Sequence, residues 1–227
     1  MTLANGNVLE SSQNSYSLRQ VVEAVAKAAI ESGVARKNIE DWGKYKEHLL
    51  ELMGRESKLT QQIHDTARTN PQRVVFAEGT HPTMLKAAVE AKALGICYPI
   101  LLGNDERIEK LAAELDLSLD GIEIVNLRHD RESERREKYA KILAEKRRRE
   151  GYTYEEAKDK MYERNYFGMM MVEVGDADAF ITGVYTKYSN TIKVAREVIG
   201  LQPGFDNFAT MHILNSKKGT YCVADRI

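Results

Sequence analysis

The segment TGVYTKYSNT at 182–191 concentrates the groups best suited to chemistry. It lies between an apolar run at 179–182 and a stretch of helical spacing at 191–199. In parallel α/β sheets, ligands collect where strands end and helices begin. A helix start offers unpaired N–H groups and a partial positive charge. Gly183 opens this loop, which also holds Tyr188; Ser189, Asn190 and Thr191 supply hydroxyl and amide groups, and Lys187 and Lys193 supply charge. Together these are the parts of an anion or phosphate cradle. The same residues also suit an N-capped helix carrying surface lysines. A second candidate is the basic cluster at 147–149, where Arg147 heads three consecutive arginines. Guanidinium forks fit phosphate and carboxylate oxygens. The run equally fits a solvated helix end whose cations complement the macrodipole.

Other site types are missing from the sequence. No G-x-G-x-x-G follows a strand, no P-loop or G-x-S-x-G elbow is present, and the five histidines are scattered without an H-E-x-x-H. Asp176 and Asp178 bracket a strand start and read as a polar turn before they read as a metal site. Cys97 and Cys222 sit in apolar stretches outside any zinc-type spacing, which predicts two buried thiols in a reducing compartment.

The elements that must position these groups follow from periodicity. Val21, Val22, Ala24, Val25, Ala28 and Ala29 share a helical face closed by Ser32-Gly33. Further helices are expected over Trp42 to Met53 and Leu59 to Ala67. From Asn70-Pro71 the pattern changes. Short buried strands at 73–78, 98–102 and 121–126 alternate with helices marked by Leu85, Ala88 and Val89 and by Ile108, Leu111, Ala112 and Leu115. Pro82 suits the first turn of the former, and Asn104 or Asp105 can cap the latter. This alternation predicts a parallel sheet with helices packed on it. A charged helix over 132–150 breaks at Gly151, and Thr153 with Glu156 forms a capping box for a helix running through the Met169–Met171 cluster. A strand at 179–182, a loop at 183–190, a helix at 191–199 and two closing strands at 208–214 and 220–224 complete the chain.

Composition excludes several partners. The 227 residues carry 33 Lys+Arg against 34 Asp+Glu, a net charge of −1, which gives no basis for nucleic-acid or membrane binding. No apolar run is long enough to span a bilayer and no signal peptide opens the chain.

Three stretches carry a family resemblance. VVEAVAKAAIESGVAR at 21–36, with Ile39 and Trp42, resembles the closing helix and exit segment of the malic part of bacterial malic enzymes. PQRVVFAEG at 71–79, with Ala87-Ala88 and YPILLG at 98–103, resembles the opening βαβ unit of the phosphotransacetylase (phosphate acetyl/butyryl transferase) family. Arg147 to Gly151, YFGMMM at 166–171, Asp178, Thr182-Gly183 and Gly219-Thr220 follow that family's middle section.

The resemblance implies an α/β, parallel-sheet, phosphotransacetylase-like fold of the isocitrate/isopropylmalate dehydrogenase type. It has two lobes, the second incomplete, behind an α-helical connector. The boundaries it implies are a flexible end at 1–17, the connector at 18–69, lobe I at 70–150 and the start of lobe II at 151–227. Family members move an acetyl group between coenzyme A and phosphate. Arg147 matches the family's arginine for the phosphate or coenzyme site, and the Gly183 loop matches its serine-rich cleft loop. The chain departs from the family at Lys193, where an arginine is expected, at the bulky Tyr185 and Tyr188, and in ending at Ile227 before the later Ser-Arg motif. Loss of the planar fork and of these groups points away from reactive geometry.

The resemblance therefore implies a regulatory domain, catalytically silent, that senses acetyl-CoA and acts on its own malic-enzyme domain in a cytoplasmic homo-oligomer. NADP, a divalent Mg or Mn ion and the oxidative decarboxylation of malate belong to the parent's malic part. The alternatives are a fragment of an active phosphate acetyltransferase and an oligomerisation module.

Overall fold

The structure, a computed structural model, describes residues 25–35, 39, 41, 42, 45, 58–216 and 219–226. The chain divides into two compact units, Met1–Gln61 and Gln62–Ile227. In the first, residues 25–31 are helical and Gly33 follows with φ +72°, as the apolar face and Ser32-Gly33 predict. The expected flexible end and most of the helix expected from Trp42 to Met53 lie outside the described residues.

Helix α1 (Lys58–Thr69) leads to strand β1 (Gln72–Phe76), helix α2 (Pro82–Ala93), strand β2 (Cys97–Leu102), helix α3 (Asp105–Glu114) and strand β3 (Glu123–Val125). Pro82 sits in the first turn of α2, where its missing N–H costs nothing, and the His81 side chain caps that helix. Asn104 caps α3 through Oδ1, which accepts the Arg107 N–H at 2.9 Å. Helices α4 (Ser133–Lys146), α5 (Tyr154–Lys160) and α6 (Arg164–Glu173) precede strand β4 (Ala179–Ile181) and helix α7 (Tyr188–Val198). Strands β5 (Ala209–Ser216) and β6 (Gly219–Arg226) pair antiparallel in a separate two-stranded sheet.

The main sheet has the order β3-β2-β1-β4, and every pairing in it is parallel. Alternation along the strands sends side chains to both faces. Phe76 and Leu101 pack with Met84, Leu85 and Ala88 of α2 and Ile108 and Ala112 of α3. Val75, Ile100 and Leu102 pack with Tyr139 and Leu143 of α4, Phe167, Met170 and Met171 of α6, and Val194 and Val198 of α7. The methionine cluster is core, as expected. Gly168 allows α6 to lie against β4, because a Cβ there would come within 2.3 Å of the Phe180 ring.

Three expectations are corrected. The helix opened by the capping box does not run through to Val172. The backbone closes α5 with bonds from Met161, Tyr162 and Glu163 N–H to carbonyls three residues back, and Glu163 turns extended before α6 begins. Ala157 and Met161 thus stay on the core while α6, buried at Tyr166, Phe167 and 168–171, turns to cross beneath the sheet. Helix α7 starts at Tyr188 and not at Thr191, so Ser189, Asn190 and Thr191 form its first turn. Lys187, the residue before it, makes no side-chain cap bond. Finally, Cys97 is buried but Cys222 is exposed, because its strand belongs to the hairpin and not to the core.

Candidate active-site cleft

Parallel strands deliver their carboxyl ends to one edge of the sheet. Ala77 and Glu78 follow β1, Gly103 and Asn104 follow β2, Asn126 to His129 follow β3, and Thr182 and Gly183 follow β4. A cleft of about 1000 Å³ opens along that edge, lined by these loops together with Arg107, Arg164, Asn165, Thr186, Asn190 and Val194. The chain runs outward from β1 to β3 and then returns to place β4 on the far side of β1. The reversal between β1 and β4 is the switch point at which such sheets bind ligands.

Glu78 occupies that point. It is 2% exposed, and Oε1 accepts the Gly183 N–H at 3.1 Å and lies 3.0 Å from Thr182 Oγ1. Thr182 Oγ1 is also 3.1 Å from Asn165 Oδ1, and its single proton serves one of the two acceptors. Glu78 Oε2 is buried without a partner. The carboxyl therefore ties the end of β1 to the start of the β4–α7 loop. Gly183 leaves the strand at φ +132°, a backbone conformation that L side chains rarely adopt.

The other end of α7 is held firmly. Lys146 donates to Val198 O and Ile199 O, and Arg147 donates Nε to Glu197 O at 2.6 Å and Nη2 to Arg196 O. Two cations thus satisfy the carbonyls that a helix end leaves free. Tyr152 and Tyr166 both donate to the Glu197 carboxylate, and Lys160 Nζ lies 2.8 Å from Tyr166 Oη. Burial pushes the Glu197 acid upward, but the two phenols and the nearby Lys160 and Lys193 outweigh it and hold the group below the usual carboxylate range. Burial, reinforced by the bond to Glu197, pushes Tyr152 up to about 12 and Tyr166 higher still. With its C-terminal end fixed, α7 presents its first turn to the cleft.

The candidates from sequence divide accordingly. Asn190 lines the cleft, and Gly183 is bonded to its floor. Tyr188 and Ser189 are exposed on the first turn, and Thr191 keeps a buried Oγ1 without a partner. Lys193 is exposed and lies 3.9 Å from Glu197. Arg147 is directed to the carbonyls of α7 and to Glu150 at 2.6 Å. Asp178 takes a bidentate ion pair from Arg73 and Asp176 takes the Tyr139 hydroxyl, the polar turn expected of them. Among the described residues, no group of three or more His, Cys, Asp or Glu is arranged to hold a metal ion, and no helix is long and apolar enough to cross a membrane.

Sequence reasoning passed over Glu78, Arg107, Arg128, His129 and Arg164, all of which line the cleft. Glu78 lies within the PQRVVFAEG stretch but has no chemical signature of its own there, and the other four belong to no motif. The available signal was position, since Glu78, Arg107, Arg128 and His129 stand two to five residues beyond the end of a strand.

The model of the phosphate acetyl/butaryl transferase family matches residues 58–227. An NADP-dependent malic enzyme of Rhizobium meliloti is 36% identical over 184 residues, covering 80% of this chain and 24% of that protein. The Escherichia coli NADP-dependent malic enzyme is 34% identical over 212 residues, covering 91% of this chain and 27% of that protein. A phosphate acetyltransferase of Acetivibrio thermocellus is 32% identical over 171 residues, covering 73% of this chain and 50% of that protein. The chain thus spans about a quarter of these malic enzymes and half of the acetyltransferase. In three dimensions, a phosphotransacetylase from Streptococcus pyogenes superposes with TM-score 0.61 at 24% identity, covering 74% of this chain and 51% of that one. The α/β fold with its parallel sheet is therefore that of phosphotransacetylases over part of their length, and the chain belongs to the phosphate acetyl/butaryl transferase family.

Proposed function

We propose that this chain is the regulatory, catalytically silent phosphotransacetylase-like domain of an NADP-dependent malic enzyme, and that its cleft senses acetyl-CoA. The observation that carries this reading is where the two transferase-type cations go. Lys193 stands where the family resemblance expects an arginine, and it is exposed beside Glu197. Arg147 is committed to the end of α7. Acyl transfer to phosphate needs preorganised cations at the reacting oxygens, and these two are turned to other work. The cleft itself, with its loops at the strand ends, is retained as a binding site. The malic-enzyme relatives support the parent's identity. In that parent, NADP, a divalent metal and malate oxidation belong to the malic part, and the assembly is a cytoplasmic homo-oligomer.

Allostery requires that the effector bind two states of the parent with different affinity. Calorimetry of acetyl-CoA with the complete parent, beside a coupled phosphate acetyltransferase assay, tests the proposal. Binding heat, no transferase turnover and a shift in malate-dependent NADP reduction are expected. Robust acetyl phosphate formation would replace it with the second reading, a working acetyltransferase, which the half-length match to the Acetivibrio enzyme favours. Absence of binding heat would leave an oligomerisation module, which the exposed Met211, Ile213, Tyr221 and Val223 of the hairpin favour.

A further inference from the structure

Away from the cleft, Arg68, Arg73, Arg131 and Arg148 lie against carboxylates and Arg147 against carbonyls and Glu150, while the exposed Arg149 and Arg196 form no ion pair among the described residues. The three that line the cleft, Arg107, Arg128 and Arg164, form no ion pair among the described residues. Arg164 instead faces the Tyr185 ring, 5.6 Å away. Arg107 stands in the first turn of α3, which follows β2, and Arg128 on the loop that follows β3, and further donors line the same cleft. His129 Nδ1 accepts the Arg131 N–H at 3.2 Å, so the neutral ring carries its proton on Nε2. Asn104 spends Oδ1 on the Arg107 N–H, which leaves its amide NH2 to donate. The loop that carries Arg128 and His129 is braced from below. Arg136, only 6% exposed, donates to Leu127 O at 2.6 Å and His129 O at 2.8 Å. A buried guanidinium spent on holding two backbone carbonyls fixes where the next side chains begin.

We infer that Arg107, Arg128 and His129, with the Asn104 amide, form a phosphate or pyrophosphate subsite at the β2 and β3 end of the cleft. This deepens the acetyl-CoA reading, on which the identity of the physiological ligand rests. It moves the anion-binding role from the β4–α7 loop and Arg147 to residues on the opposite side of β1. The chemistry recognised is a di-anionic phosphate oxygen cluster, offered free by inorganic pyrophosphate or covalently by a coenzyme. Two guanidinium forks donate to several oxygens at once in a planar geometry that a lysine pair lacks. Glu106 and Glu163 border the same cleft and keep affinity for a bare anion modest.

The test is isothermal titration of the complete parent with inorganic pyrophosphate, with acetyl-CoA and with pantetheine, which lacks the phosphates. The Arg107→Gln/Arg128→Gln variant is compared with Lys138→Gln/Lys141→Gln, which removes the same charge from exposed positions of α4. Loss of charge-assisted bonds should weaken pyrophosphate and acetyl-CoA by about 10- to 100-fold, with pantetheine and the lysine control unchanged. Arg107 and Arg128 are exposed, so the melting temperature should stay put. If pyrophosphate binds and weakens as stated but acetyl-CoA gives no heat, the subsite stands and the acetyl-CoA reading falls. If acetyl-CoA binds and the arginine variant binds it equally, the subsite falls and that reading stands. No pyrophosphate heat at 10 mM, a concentration chosen as about tenfold above a millimolar Kd, overturns the subsite outright.

Discussion

Arg147 distinguishes an arginine that positions a helix from one that touches a ligand. Its guanidinium donates to the carbonyls of Arg196 and Glu197, and its side chain is 16% exposed. The ion pair with Glu150 adds little, because that carboxylate is 56% exposed. Each charge-assisted bond to a carbonyl contributes about 1.5–3 kcal/mol, and the helix dipole adds roughly 0.3–1 kcal/mol. These contributions overlap with those of Lys146, which holds the next two carbonyls. Replacing Arg147 with Ala should therefore cost about 2–4 kcal/mol. For a domain of this size that lowers Tm by about 5–12 °C. Arg147→Lys keeps the charge and one bond and should lose about half as much. Urea or thermal unfolding of the three proteins, each also titrated with acetyl-CoA below its transition, separates the two roles. A helix anchor predicts a large loss of stability and little loss of affinity. Unchanged unfolding with abolished binding would refute the placement of Arg147 and return it to the ligand.

Three further outcomes are expected. The Arg73 side chain and backbone N–H bond the Asp178 carboxylate and hold it at about 2, below its ordinary 3.8. This interaction stabilises the fold at pH above 3.8 and is lost as pH falls through about 2, so Asp178→Asn should flatten the decline of Tm over that interval and a parallel decline would contradict it. Gly168→Ala places a methyl against Phe180 and should destabilise by about 1–3 kcal/mol, although Ala is the better helix former; a gain in Tm would show that α6 and β4 are not in close contact. Glu78→Gln keeps an acceptor for Gly183 and Thr182 and should cost no more than about 1 kcal/mol, whereas Glu78→Ala should cost about 2–4 kcal/mol. Equal unfolding of the two would remove Glu78 as the tie between β1 and β4.

The parallel sheet was legible because its signals are local. VVFA and PILL are short apolar runs that only a two-sided sheet buries, and Pro82, Asn104 and the Thr153–Glu156 pair mark helix starts by bonds made within three residues. Where boundaries were misread, the deciding contact was distant. Nothing near Ser189 announces that α7 begins at Tyr188, because the helix is secured at its far end by Lys146, Arg147, Tyr152 and Tyr166. The break at Met161 to Glu163 likewise follows from packing α6 on all sides, which no capping residue encodes. Cys222 reads as buried only until its strand is seen to pair within a hairpin whose faces are largely exposed.

The cleft was legible in place but not in membership, and the reason is electrostatic. Sequence shows a side chain's charge and conceals its partner. The run at 147–149 is conspicuous, yet Arg147 is spent on carbonyls some fifty residues away and Arg148 pairs with Glu145. Arg107 and Arg128 are inconspicuous, separated by 21 positions, and line one cleft because β2 and β3 are adjacent and parallel. A cation already neutralised by the fold has little attraction left for a ligand, whereas an unpaired cation on a braced loop keeps nearly all of it. Strand order, and not basic clustering, is what brings Arg107 and Arg128 to the one cleft where the anion subsite is proposed. The residues to inspect first are those two to five positions past each strand end, and this chain places Glu78, Arg107, Arg128 and His129 there.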